Sequence, residues 1–196
     1  MLGRINSFRA DPTAYMGAVV MLGFSAWAGW RWFHTGLLFF LLLLVRDVVA
    51  AWFLVTRRPN MAEMSVGRAE WLAYLSCALP LFYFAPTHSH GFAVSLLAGL
   101  LPIAGFTLAT VALFDLGESF GISPANRGRI GSGIYQKLSH PMYLGYVVAE
   151  LGLVLLNPVN VVIWCTSIAL YYSRALRELA VLDPRVGAES TKRSYF

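Results

Sequence analysis

Two short stretches of this chain carry residues suited to chemistry, and the first lies in its C-terminal third. A glycine-rich loop, Gly131–Gly133, leads there to the pair His140-Pro141, and proline suits the first turn of a helix. Glycines let a backbone approach a ligand closely, and the unpaired N–H groups at a helix N-terminus favour an anion. The stretch therefore predicts a ligand site. The structural alternative is an ordinary helix start within an aromatic belt of Tyr135, Tyr143 and Tyr146.

A second candidate stretch is Arg174–Glu178. Its first and last residues are four apart and so share one face of a helix, and Arg177 adds positive charge nearby. A guanidinium can hold a carboxylate or a phosphate through two parallel hydrogen bonds. The alternative is that these arginines anchor the end of a membrane helix, with Glu178 as their counter-ion.

The composition decides what kind of protein carries these stretches. Of the 196 residues, 58% are hydrophobic and 13% are charged, whereas soluble domains have roughly 45–50% apolar and about 25% charged residues. A soluble enzyme, a disordered chain and a coiled coil are excluded, and an integral membrane protein is predicted. The net charge of +5 is spread along the chain rather than gathered into a patch, so we expect no nucleic-acid partner.

The apolar runs predict an all-α, polytopic transmembrane bundle. A crossing takes about 20 residues, so the 33-residue run 141–173 is too long for one helix, and Asn157-Pro158 interrupts it. We expect a helical hairpin there, for a total of six membrane helices. The predicted spans are 14–34, 36–56, 69–86, 92–114, 141–156 and 158–173.

The basic residues predict how the bundle is oriented. All lysines and arginines except Arg31 and Arg46 fall on one side if the N-terminus is inside, and positive charge marks the cytoplasmic side. We expect both termini to be cytoplasmic, and the short loops favour a prokaryotic cytoplasmic membrane. Two parts are predicted: N-terminal transmembrane helices over 1–114, and a C-terminal catalytic region over 115–196 with a cytoplasmic loop, the hairpin and a tail.

Several linked motifs in this C-terminal region resemble the isoprenylcysteine carboxyl methyltransferase family. The resemblance covers about residues 115–182. Two features depart from the family pattern: Ser139 stands where arginine usually precedes His-Pro, and the usual acidic run is reduced to Glu178. The motifs are Asp115–Gly117, Arg129–Gly133, Gly133–Tyr135, His140–Tyr143, Leu156–Pro158 and Arg174–Glu178.

The resemblance implies methyl transfer from S-adenosylmethionine to a lipophilic acceptor that enters from the bilayer. Arg174 would be the catalytic residue that holds the acceptor, a prenylated cysteine carboxylate or a similar amphiphile. Such a carboxylate is ionised at neutral pH and needs no general base. No metal ion is expected, and the other partners are membrane lipids. The residues implied to bind the cofactor are Arg127, Gly128, Arg129, Ile130, Tyr135, His140, Pro141, Met142, Tyr143 and Glu178.

Three ionisable residues lie within predicted spans, where charge is costly and faces the protein interior. They are Arg46, Asp47 and Glu150. A structural ion pair of Arg46 with either carboxylate is one interpretation. The other is that Glu150 lines the acceptor tunnel and binds substrate, selecting a cationic or hydroxylated head group.

Other functions remain open from the residues alone. A phospholipid-amine or thiol methyltransferase would share the architecture and the cofactor. An NADPH-dependent sterol-type reductase would favour a denser basic loop than Arg127 and Arg129 provide. A non-enzymatic membrane binding protein would tolerate replacement of His140 and Glu178.

Overall fold

The computed structural model describes residues 12–57, 68–122 and 131–182, and within these ranges the chain is helical without strands. This confirms the predicted all-α class. The stretches Leu38–Thr56 and Phe92–Ser119 are long and apolar enough to cross a membrane, while the number of crossings stays a prediction. The helices are α1 (Pro12–Thr35), α2 (Leu38–Thr56), α3 (Arg68–Ala78), α4 (Phe92–Leu116), α5 (Pro141–Leu156) and α6 (Val161–Leu182).

The third apolar run is shorter as a helix than the predicted span over 69–86. After α3 the chain makes a 3-10 turn, Leu79–Phe82, and then continues without helix to α4. Pro80 lies in that turn, and proline cannot donate the amide hydrogen bond that would continue an α-helix. The prediction is therefore wrong about where this helix ends, although its start is close.

The predicted break at Asn157-Pro158 is confirmed, because α5 ends at Leu156 and α6 begins at Val161. Asparagine side chains fasten the non-helical segment after α3 to this corner. Asn160 accepts a hydrogen bond from Phe84 N at 2.8 Å and donates to Phe84 O at 3.0 Å, and Asn157 donates to Ala85 O at 2.9 Å. These hydrogen bonds fix the segment after α3 against the turn between α5 and α6.

Helices α4 and α5 approach each other through small residues. A Cβ placed on Gly145 would lie 2.5 Å from the carbonyl oxygen of Gly105 and 2.8 Å from the amide nitrogen of Ala109. Small residues allow membrane helices to pack with their backbones in contact. This contact fixes α5 against α4 and so sets the position of the residues at the start of α5.

The charged residues of α2 are buried side by side. Arg46 Nε lies 3.1 Å from Asp47 Oδ1, and the Arg46 guanidinium lies 4.7 Å from the centre of the Tyr146 ring. Of the two predicted ion pairs, the one between Arg46 and Asp47 is therefore present.

Candidate functional site

Arg174 lies on α6, which continues past the predicted end of the hairpin at residue 173. The side chain is 5% exposed, and its hydrogen bonds reach distant parts of the chain. Nη1 donates to Ser76 Oγ on α3 at 2.9 Å, and Nη2 donates to the carbonyl oxygen of Ile122 at 3.0 Å. The guanidinium also lies 5.2 Å from the centre of the Tyr143 ring.

Within the described part of the chain no carboxylate hydrogen-bonds to Arg174, although Glu178 lies near enough to interact with its charge. Cys77 Sγ accepts a longer contact from Nη1 at 3.7 Å, and Nε has no hydrogen-bond partner within the described part of the chain. The partners that it does have are a hydroxyl, a thiol and a carbonyl, all neutral. A buried guanidinium with neutral partners binds a carboxylate or phosphate strongly, because little water competes for it.

Three residues predicted from the two sequence stretches meet at the start of α5. The Tyr143 hydroxyl donates a hydrogen bond to Glu178 Oε1, and His140 Nδ1 lies 3.8 Å from Glu178 Oε2. The imidazole stacks on the Tyr143 ring with centres 5.8 Å apart. The side chains of His140 and Glu178 are 26% and 31% exposed, so this end of the site is reachable from water.

Tyr143 joins the buried and the exposed parts of the site. Its ring lies beside the Arg174 guanidinium and stacks on Tyr171 of α6 with centres 5.7 Å apart and planes 8° apart. We call Tyr143 and Tyr171 the tyrosine pair. Since these two residues come from different helices, the pair ties α5 to α6 at the level of Arg174.

The loop before His140 is fastened to the end of α4 by Asp115. The backbone N–H of Ile134 donates to Asp115 Oδ2 at 2.8 Å, within the 3-10 turn Gly133–Gln136. Gly133 has φ +59°, a conformation that glycine adopts without strain. Burial raises the pKa of Tyr135 in this turn, so its phenol stays neutral and able to donate a hydrogen bond.

The remaining predicted residues are less central to this cluster. Pro141 and Met142 form the buried first turn of α5. Glu150 lies ten residues after His140, about 15 Å along the helix, and accepts hydrogen bonds from two tyrosines. The binding roles of all these side chains stay predictions. The residues Arg127, Gly128, Arg129 and Ile130 lie outside the described residues.

Some residues of the cluster were not predicted. Tyr171 precedes Arg174 by three positions and Glu178 by seven, which places all three on one helical face, so this spacing could have identified it. Ser76 and Ile122 carry no comparable signal, because their contacts with Arg174 depend on how α3 and the segment after α4 pack against α6.

Comparison with known proteins adds one finding. Residues 87–182 match the family model described as phospholipid methyltransferase, and the matched range is just under half of the chain. It contains His140, Tyr143, Arg174 and Glu178. The match confirms the resemblance to integral membrane methyltransferases. No curated protein and no solved structure matches the chain.

Proposed function

We propose that this chain is an integral membrane methyltransferase that methylates the carboxylate of an isoprenylcysteine-like amphiphile with S-adenosylmethionine. The match of residues 87–182 to the phospholipid methyltransferase family model supports the methyltransferase class. One observation carries the choice of acceptor. The buried Arg174 has neutral partners and lies against the same tyrosine that contacts Glu178. The Arg174 guanidinium, which would bind the acceptor, thus lies near the Glu178 carboxylate, which would bind the methyl donor.

The exposed end of the site fits the charges of the cofactor. S-adenosylmethionine carries a sulfonium and an ammonium group, for which the Glu178 carboxylate supplies the negative partner. Its own carboxylate needs donors, which His140 and the N–H groups at the start of α5 supply. Tyr135, Pro141, Met142 and Tyr143 would complete the pocket, since they belong to the same turn and helix start.

Arg174 would act by holding the acceptor. A carboxylate bound to the guanidinium is ionised at neutral pH and is oriented by two parallel hydrogen bonds. When the cofactor is bound, it supplies a methyl group whose carbon–sulfur bond breaks as the carbon–oxygen bond forms. Because an ionised carboxylate accepts the methyl group without releasing a proton, no residue of the site would have to act as a general base. Positioning and exclusion of water can therefore supply most of the acceleration.

A phospholipid amine is the second candidate acceptor, and the description of the matched family favours it. Arg174 would then hold the lipid phosphate, for which a guanidinium is equally suited. The amine would first have to lose a proton, and arginine is no base because it stays protonated. Methyl transfer to a farnesylated cysteine and to phosphatidylethanolamine, measured side by side, separates the two acceptors.

We place the site at the cytoplasmic face of a multi-pass protein with both termini cytoplasmic, in a prokaryotic membrane. The support is the distribution of basic residues along the sequence. We also propose a division into N-terminal helices over 1–114 and a catalytic region over 115–196, with Glu150 close to the path of the acceptor.

Cofactor binding is the first test of this function. We expect His140→Ala and Glu178→Ala to weaken S-adenosylhomocysteine binding about tenfold or more, because each removes a charged or polar partner worth about 1.5–3 kcal/mol. Isothermal titration calorimetry on the detergent-purified protein measures this, with circular dichroism to check folding. His90→Ala is the control, since His90 bonds to Leu156 O at the far end of α5. Folded wild-type protein that binds no S-adenosylhomocysteine would overturn the proposal, and NADPH would be tested next.

The loop before His140 offers a second test. We expect Gly133→Ala to weaken S-adenosylhomocysteine binding several-fold, since a Cβ there would meet the Asp115 carboxylate and the positive φ of +59° strains any L-residue. Gly91→Ala is the control, because Gly91 lies before the start of α4, away from this loop, and a Cβ there would have no described residue within 4 Å. Equal affinities of the two variants would show that the Asp115 contact does not shape the cofactor pocket.

A further inference from the structure

We propose that Glu150 is a positioning residue that orients the tyrosine pair and, through it, the groups that hold acceptor and cofactor. This inference rests on the proposed function. Glu150 is 1% exposed, and each of its oxygens accepts a hydrogen bond from a different tyrosine. Tyr171 OH donates to Oε1 at 2.6 Å, and Tyr83 OH donates to Oε2 at 2.8 Å.

The bond to Tyr171 leads directly to the site. Tyr171 is stacked nearly parallel on Tyr143, so the plane of one ring limits the orientation of the other. Tyr143 in turn donates to Glu178 and lies under the Arg174 guanidinium. The Glu150 carboxylate is thereby connected, through the stacked rings of the tyrosine pair, to Arg174 and to Glu178.

The bond to Tyr83 reaches the site only indirectly. Tyr83 follows the 3-10 turn after α3 and makes an edge contact with Phe39, and further ring contacts through Phe106 and Tyr146 separate Phe39 from Tyr171. Both bonds satisfy a buried carboxylate, whereas only the bond to Tyr171 acts directly on a ring of the site.

A carboxylate is suited to this role because it accepts from two hydroxyls at once. An ionisable group inside a membrane helix is costly, and glutamine would fill the same space without the charge. Glutamine has one acceptor oxygen, so only one of the two hydroxyls could still donate to it. Its NH2 group would donate to the other hydroxyl, and that tyrosine would have to direct its own proton elsewhere. The geometry of the tyrosine pair thus depends on the carboxylate rather than on the volume of the side chain.

The test is a double-mutant cycle of Glu150→Gln and Tyr171→Phe. We expect each single variant to lower the kcat/KM of methyl transfer about tenfold, and the double variant to be no worse than either one, since coupled residues are not additive. S-adenosylhomocysteine affinity is measured in parallel by calorimetry. Tyr83→Phe is the control: it removes the other hydroxyl from Glu150, and we expect a lower melting temperature with kcat/KM within twofold of wild type.

Three results would overturn the inference. Additive losses in the double variant would show that Glu150 and Tyr171 act separately, and equal losses in Tyr83→Phe and Tyr171→Phe would show that Glu150 serves stability alone. In both cases wild-type protein that still binds S-adenosylhomocysteine keeps the proposed function intact. Absence of binding by the wild type would remove the proposed function and this inference together.

Discussion

Arg174→Lys is expected to lower methyl transfer about 100-fold while S-adenosylhomocysteine affinity stays within a few-fold of wild type, because a small misplacement of the acceptor is enough for such a loss. The guanidinium now reaches Ser76 and Ile122 with two nitrogens at once. A lysine keeps the charge but has a single nitrogen, which cannot make both contacts and also hold a carboxylate at two points. Initial rates at saturating cofactor, with calorimetry on the same preparation, measure the two effects.

Arg177 provides the matched control for this prediction. It lies on the same helix three residues later and is exposed, so Arg177→Lys should keep activity within about twofold. An Arg174→Lys variant with nearly full activity would exclude Arg174 as the acceptor-binding group. A variant that loses both activity and S-adenosylhomocysteine binding would instead place Arg174 in the cofactor pocket.

Gly105→Ala is expected to destabilise the protein by about 3 kcal/mol, the upper end of the range typical of overfilled cores. Its Cβ would meet the carbonyl oxygen of Gly145 and the backbone nitrogen of Ala149 on the neighbouring helix. Backbone atoms cannot turn aside as a flexible side chain can, so α4 and α5 must separate. The start of α5 carries His140, and cofactor affinity should fall with stability. Thermal unfolding in detergent and calorimetry measure the two effects.

The control for this prediction lies on the same helix. A Cβ on Gly99 would have no described residue within 4 Å, so Gly99→Ala should leave stability unchanged or raise it by up to about 1 kcal/mol, because alanine restricts the unfolded chain. If Gly105→Ala unfolds at the same temperature as Gly99→Ala, the close approach of α4 and α5 is not a determinant of stability.

Local patterns were enough to predict most helix positions. The proline after His140 gives the start of α5, and Asn157-Pro158 gives its end, because proline restricts the backbone wherever it stands. The predicted span over 69–86 is longer than the helix found there. Its apolar character continues past the end of α3, because Leu79, Leu81 and Phe82 flank Pro80. Hydropathy measures the preference for the bilayer and does not report the hydrogen bond that a proline removes.

The candidate site was predictable only as far as it is local in the sequence. His140, Arg174 and Glu178 follow from motifs and helical spacing. The hydrogen-bond partners of Arg174 come from α3 and from the segment after α4, and no spacing rule connects segments so far apart. The position of Glu150 within an apolar run marks it as unusual in the sequence. The identity of its two tyrosine partners depends on packing among three segments and could not be predicted.

The contacts of Arg174 also bear on how the protein is made. Its guanidinium contacts Ser76 from α3, Ile122 from beyond α4 and Tyr143 from α5, and all three residues precede Arg174 in the chain. Until those earlier segments are assembled, the charge has no place to be buried without a large penalty. Docking of α6 should therefore follow the assembly of these segments, so that the burial of one charge sets an order for folding in the membrane.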